Sequence, residues 1–224
     1  MIAEQSTPEQ ISTTIDQLGV VPVIAIEDPK AALPLADALI DGGLPIAEIT
    51  FRTAAAQQVI ETLARERPNL LVGAGTVLSR ANLEAARAAG ARFAFAPGFN
   101  PAMAMAAKEF GMPFLPGVAT PSEIEQALSL GYRVLKFFPS EDLGGLKMLN
   151  ALAGPYEHTG VKFVPTGGVS PANLEAYLAC KVVTAVGGSW LARKEDLAAG
   201  NWQTIRQRCE EAVAIVRKVR ARVS

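Results

Sequence analysis

Apolar residues along this chain gather in short runs of strand length, recurring at roughly 20–29-residue intervals. The runs begin near Val20 (V-V-P-V-I-A-I), Pro45 (P-I-A-E-I-T-F), Leu70 (L-L-V-G-A-G-T-V) and Arg92 (R-F-A-F-A-P). They continue near Pro113 (P-F-L-P-G-V), Arg133 (R-V-L-K-F-F-P), Lys162 (K-F-V-P-T-G-G-V) and Val182 (V-V-T-A-V-G-G-S). They are rich in β-branched and aromatic residues and mostly apolar on consecutive positions, as in parallel strands covered on both faces. Each is followed by an Ala/Leu/Glu-rich stretch of helical character.

The stretches between runs carry helix punctuation. Ser79, Asn100, Thr120 and Ser170 stand where N-caps belong, and Pro101, Pro121 and Pro171 follow three of them at the first helical position. Gly43, Gly90, Gly111 and Gly131 close helices just before the next run. Thr7 to Leu18 reads as an extra helix ahead of the first strand. Trp202 to Val223 reads as a long amphipathic helix with apolar positions at Ile205, Val213, Val216 and Val219. Alternating strand–helix units in a chain of this length predict a single (β/α)8 TIM barrel with an extra N-terminal helix and a long C-terminal helix. No linker or composition shift divides the chain, so one domain is expected over residues 1–224.

Composition narrows the function classes. The 224 residues are 50% hydrophobic and 19% charged, with a formal net charge of −1. That suffices for a sizeable core and excludes a disordered or fibrous chain. No Lys/Arg run supplies a basic patch, so nucleic acid is not an expected partner. No stretch approaches the roughly 20 apolar residues that span a bilayer, so no membrane partner is expected. The opening Met1-Ile2-Ala3-Glu4-Gln5 does not read as a secretory leader. Cys180 and Cys209 lie far apart, which speaks against a disulfide framework and for a reducing, cytoplasmic setting. One histidine excludes a multi-His metal site. That residue, His158, reads as a solvated loop side chain.

In such barrels the chemistry lies at the carboxyl ends of the strands. Few polar residues interrupt the runs there: Glu48, Thr50 and Arg52 in the second, Gly73, Gly75 and Thr76 in the third, Pro97-Gly98 in the fourth, Lys136 in the sixth. Lys136 is the most informative, because Val134-Leu135-Lys136-Phe137-Phe138 surrounds an amine with apolar neighbours. Burying a charge costs several kcal/mol unless it is paired or loses its proton. Two roles fit the pattern equally: an imine-forming nucleophile, or a structural lysine that is paired or reaches solvent. Glu48 can meet it as a proton shuttle or as an ordinary ion-pair partner, and Arg52 offers a fork for a carboxylate. Thr166-Gly167-Gly168 and Gly187-Gly188-Ser189 end the last two runs, where barrels bind phosphate, although tight turns use glycine too. The G-A-G-T of the third run lacks the third glycine of a dinucleotide loop.

Taken together, the motifs V-P-V-I, A-E-I-T-F-R-T, V-G-A-G-T-V, P-G at Pro97, L-P-G-V-A-T, K-F-F-P, P-T-G-G-V-S-P-A-N and G-G-S-W-L resemble the 2-keto-3-deoxy-6-phosphogluconate (KDPG) aldolase family. That family is also described as bifunctional with 4-hydroxy-2-oxoglutarate (KHG) aldolase. The likeness runs in order from about Val20 to Leu191. It implies a Schiff-base lyase needing no cofactor and no metal. Such an enzyme cleaves the phosphorylated 2-keto acid 2-dehydro-3-deoxy-6-phosphogluconate to pyruvate and glyceraldehyde 3-phosphate, in the Entner–Doudoroff pathway. Residue by residue, the resemblance makes Lys136 the imine former and Glu48 the proton acceptor and donor. Arg52 and Thr76 would hold the pyruvate carboxylate, and Pro97 and Phe138 would shape the pocket. Thr166 would steer which face of the aldehyde reacts. Gly167, Gly168, Gly188 and Ser189 would receive the phosphate. A homotrimer is implied as well. Ala47 and Phe51 depart from related sequences without replacing a reacting group. Two other readings stay open: an aldolase for the 6-phosphogalactonate epimer, and a phosphosugar isomerase or epimerase using Glu48 as base.

Overall fold

The computed structural model describes residues 7–223. The opening residues Met1 to Gln5, on which the leader expectation rests, lie outside the described residues.

The eight expected runs appear as parallel strands: β1 (Val20–Ile24), β2 (Ile46–Thr50), β3 (Leu71–Gly75), β4 (Ala94–Phe95), β5 (Phe114–Leu115), β6 (Gly117–Val118), β7 (Val134–Phe137), β8 (Lys162–Pro165) and β9 (Val186–Gly188). The order is β5-β4-β3-β2-β1-β9 in one sheet and β6-β7-β8 in the other, all pairs parallel. The run at Pro113 splits into β5 and β6 at Pro116, which has no N–H to offer a ladder. The runs at Arg92 and Val182 are longer than the strands they form. Isolated parallel bridges join Phe163 to Val183 and Thr166 to Gly187, alongside β8 and β9. The architecture is thus an α/β fold built on parallel strands.

The helices are α1 (Pro8–Leu18), α2 (Ala32–Asp41), α3 (Ala56–Glu66), α4 (Arg80–Ala88), α5 (Pro101–Glu109), α6 (Pro121–Ser129), α7 (Gly145–Ala153), α8 (Pro171–Leu178), α9 (Lys194–Ala199) and α10 (Trp202–Val223). Their caps follow the punctuation in the chain. The Thr7 hydroxyl accepts the Gln10 amide, and the Gln10 side chain accepts the Thr7 amide in return. Thr120 and Glu123 repeat this capping box on α6. Gly90, Gly111 and Gly131 follow α4, α5 and α6 at φ of 91°, 62° and 78°, where a side chain would be strained. His158 lies exposed in a short 3-10 turn, as its polar surroundings suggest.

Strand alternation sorts apolar side chains into two clusters. Ala47, Ile49, Leu135 and Phe137 face the helices and pack with Leu39, Ile60, Leu149 and Leu174. Val21, Ile46, Phe93, Phe95, Leu115, Val164 and Ala185 point the other way and form a second cluster with Ile11 and Ile15 of α1. Glu48 stands two residues beyond Ile46, and Lys136 two beyond Val134, which packs on the same cluster. The two-residue strand period therefore puts both polar groups on the face opposite the helices, one step nearer the carboxyl ends. The seam of α10, Ile205, Cys209, Ala212, Val216 and Val219, packs against α2 and α8. Arg220 ties it to α1, donating to the Asp16 carboxylate at 3.1 Å and to the Thr184 carbonyl at 2.8 Å. Among the described residues, no helix is long and apolar enough to cross a membrane.

Candidate active site

Lys136 and Glu48 come from strands far apart in sequence and meet at 3.2 Å, Nζ to Oε1. Both are buried, their side chains 6% and 2% exposed. Parallel register explains the meeting from each side. Gly73 pairs with Glu48 and Gly75 with Thr50, so β3 presents no side-chain bulk beside the carboxylate. A Cβ on Gly75 would stand 2.2 Å from Glu48 Oε1. Gly117 pairs with Lys136 in the same way on the other sheet. The remaining walls around the amine are aromatic: the Phe95 and Phe138 ring centroids lie 5.2 and 5.7 Å from Nζ. A cation there is held by one carboxylate and two ring faces. A neutral amine there is a nucleophile shielded from water, with a proton acceptor in hydrogen-bond reach.

Arg52 is exposed just past β2, and its Nε donates to the Thr50 hydroxyl at 3.2 Å. Thr50 is fully buried and donates in turn to the Ile24 carbonyl at 3.0 Å. Among the described residues the terminal nitrogens of Arg52 have no hydrogen-bond partner, which leaves its fork available to a carboxylate. Thr76, half-buried directly after β3, holds φ at 55°. It alone among the described non-glycine residues has positive φ, a conformation that costs of order 1–3 kcal/mol and gathers at functional sites. Pro97 is half-buried, and its carbonyl lies where a Cβ on Gly117 would come within 2.2 Å.

The glycine pairs meet as well. The bridge between Thr166 and Gly187 sets Gly167-Gly168 beside Gly187-Gly188. Gly167 and Gly168 adopt φ of 96° and 79°. Thr166 is buried, its hydroxyl 3.4 Å from the Val164 carbonyl and against Gly187. Gly188 is buried under the Trp190 ring, while Ser189 is exposed. No hydrogen bond among the described residues links Arg52, Thr76 or these glycines to Lys136. What they share is the carboxyl-end side of the strands.

Sequence reasoning missed several features of this site. Phe95, a wall of the amine site, looked like any apolar residue of its run. Thr50 stood among the polar interruptions without a role, and it is the support for Arg52. Buried Ser140 and Tyr177 and exposed Glu141 form a polar chain next to Gly167 that no motif marks. A cavity of about 640 Å3 opens elsewhere, lined by Ser12, Met112, Phe114, Tyr132 and Val134 toward the amino ends of β5 and β7. Its Lys108 is committed to the Leu130 carbonyl and its Arg133 donates to the Leu128 and Tyr132 carbonyls.

An amine and a carboxylate buried together within parallel strands, with an open guanidinium just past one of those strands, are an arrangement suited to an α/β enzyme that acts on a carbonyl substrate. Residues 11–208 match the model of the family described as "Aldolase: KDPG and KHG aldolase", and the chain belongs to that family, whose members are lyases. A 2-dehydro-3-deoxy-phosphogluconate aldolase of Treponema pallidum is 43% identical over 206 residues, covering 92% of this chain and 97% of that one. The KHG/KDPG aldolase of Escherichia coli K12 is 44% identical over 194 residues, 87% of this chain and 90% of that one. A crystal structure of KDPG aldolase from Legionella pneumophila, with pyruvate captured at low pH as a covalent carbinolamine intermediate, matches with a TM-score of 0.87. It is 39% identical and covers 92% of this chain and 98% of that one.

Proposed function

We propose that this chain is a class I aldolase. It reversibly cleaves 2-dehydro-3-deoxy-6-phosphogluconate to pyruvate and D-glyceraldehyde 3-phosphate, and also acts on 4-hydroxy-2-oxoglutarate. The observation that carries the reading is the buried Lys136–Glu48 contact of 3.2 Å between two aromatic rings. Family membership and the relatives' names support the substrate class.

Lys136 Nζ gives a proton to Glu48 and attacks the C2 carbonyl. Glu48 returns that proton to the carbinolamine hydroxyl, which leaves as water and gives a protonated imine. Glu48, directly or through a water, then takes the proton of the C4 hydroxyl, the C3–C4 bond breaks, and the aldehyde leaves. The electron pair of that bond is held as an enamine conjugated to the iminium nitrogen, so no metal is required as electron sink. Glu48 returns the proton to C3, and water releases pyruvate from Lys136. Arg52 and Thr76 hold the C1 carboxylate, with Pro97 and Phe138 against the pyruvyl unit and Thr166 beside the aldehyde carbon. Gly167, Gly168, Gly188 and Ser189 receive the phosphate through backbone N–H groups and a hydroxyl. Anchoring so far from the breaking bond positions the reacting carbons.

The finer architecture belongs to the same reading. The two sheets close into one (β/α)8 barrel and one domain, supported by the single residue between β5 and β6 and by the two bridges beside β8 and β9. A homotrimer in the cytoplasm fits the resemblance, and it would offer burial to Leu78 and Met105, which are 60% and 56% exposed.

Steady-state cleavage of the 6-phosphogluconate and 6-phosphogalactonate epimers, with pyruvate release as readout, tests the function. The expected result is turnover favouring the gluconate epimer and unaffected by EDTA. Loss of activity with EDTA and rescue by a divalent cation would overturn the mechanism.

A further inference from the structure

Beside the first glycine pair runs a polar chain with no part in the steps above. Ser140, fully buried, places its Oγ 2.7 Å from the Tyr177 hydroxyl. Tyr177, on α8 and 1% exposed, donates its O–H to Glu141 Oε1. With that proton committed, Ser140 is the donor to the Tyr177 oxygen. Burial first, then Glu141, pushes the Tyr177 hydroxyl up to about 12, so it remains a donor at neutral pH.

This chain touches the phosphate loop directly. The Ser140 N–H donates to the Thr166 carbonyl at 2.8 Å, and the Glu141 N–H to the Gly167 carbonyl at 3.0 Å. A Cβ on Gly168 would stand 2.5 Å from both Cβ and Cγ of Glu141. A carboxylate thus branches from the very wall of a site proposed for a dianion, where like charges repel. Its oxygen, however, is turned aside. Oε1 lies over Gly145, where a Cβ would come within 2.7 Å, and the Tyr177 hydroxyl approaches the same point at 3.2 Å.

The geometry points to Tyr177 as a positioning residue for phosphate recognition: its hydroxyl holds the Glu141 carboxylate toward Gly145, away from the Gly167–Gly168 backbone, so that a phosphate dianion can bind there. This rests on the aldolase reading of the site. Glu141 is the negative element and Tyr177 the restraint. Neither touches the reacting carbons.

Kinetics of Tyr177→Phe test this, alongside calorimetric titration with inorganic phosphate. The variant should raise KM for the phosphorylated substrate about tenfold, the scale of one hydrogen bond to a charged group, with kcat little changed. Phosphate affinity should fall by the same factor. Borohydride trapping of pyruvate, which carries no phosphate, should keep its rate. Adding Glu141→Gln to Tyr177→Phe should restore both KM and phosphate affinity. Unchanged phosphate affinity overturns the proposal, as does a loss that Glu141→Gln leaves in place or that extends equally to pyruvate trapping. If Tyr177→Phe does not fold, Glu141→Gln alone decides: phosphate binding as tight as wild type or tighter supports the restraint, and weaker binding overturns it. Failure of the wild-type chain to trap pyruvate would sink the aldolase reading instead, while phosphate titration would still read the positioning role.

Discussion

Lys136 and Glu48 are each the other's charged partner at 3.2 Å in a buried setting, so changing one leaves the other uncompensated. Lys136→Met keeps roughly the same volume in the strand but strands Glu48, 2% exposed, without its cation. Removing one partner of such a pair costs about 3–5 kcal/mol. The variant should retain its circular dichroism spectrum, melt lower, and show neither cleavage nor pyruvate adduct. Adding Glu48→Gln should recover part of the lost stability and none of the activity. Unfolding of Lys136→Met that Glu48→Gln does not relieve would assign the lysine to structure. Gly75→Ala is the sharper local probe, because its Cβ would fall 2.2 Å from Glu48 Oε1. Cleavage should drop at least tenfold through displacement of the carboxylate, with a melting temperature closer to wild type than that of Lys136→Met. Full activity in Gly75→Ala would remove Glu48 from proton transfer. At this scale Lys136, Glu48 and Arg52 were legible because a polar residue inside an apolar run needs a reason. Phe95 and Tyr177 were hidden, since an aromatic in a strand or on a helix reads as core until its neighbours are known.

Among elements, the ends of the chain hold the site's loops from behind. Arg208 of α10 pairs with Asp196 of α9 and also donates to the Trp190 carbonyl at 3.3 Å, two residues past the glycine pair of β9. The Arg208 hydrogen bond holds the Asp196 carboxyl below its ordinary value near 3.8, against the opposing effect of burial. A carboxyl depressed in the folded state contributes stability that is fully present above the unfolded value and is lost as pH falls through the folded one. Arg208→Met should therefore lower stability by about 1–3 kcal/mol at pH 7, and the gap to wild type should close below the ordinary Asp range. A gap that persists unchanged at acid pH would assign it to packing of the arginine stem. The boundaries of α1 and α10 were readable from a cap and an apolar seam. The short α9 and the break at Pro116 were not, because a few residues carry no period and a proline between two strands looks like a turn.

At the scale of the whole molecule, function comes from residues that sequence scatters and parallel pairing gathers. Glu48 and Lys136 lie on different sheets, and a bridge at Thr166 and Gly187 brings the two glycine pairs together. Motif order suggested such a gathering, but register, which decides whether an amine meets a carboxylate or a methyl group, depends on pairing between distant strands. Cleavage by this chain therefore requires that the gathered amine be chemically competent. Incubating the protein with pyruvate and sodium borohydride, followed by peptide mass spectrometry, asks that directly. The expected product is one reduced three-carbon keto acid per chain, on Lys136 and absent in Lys136→Met. An unmodified Lys136, or adducts spread over surface lysines alone, would contradict it.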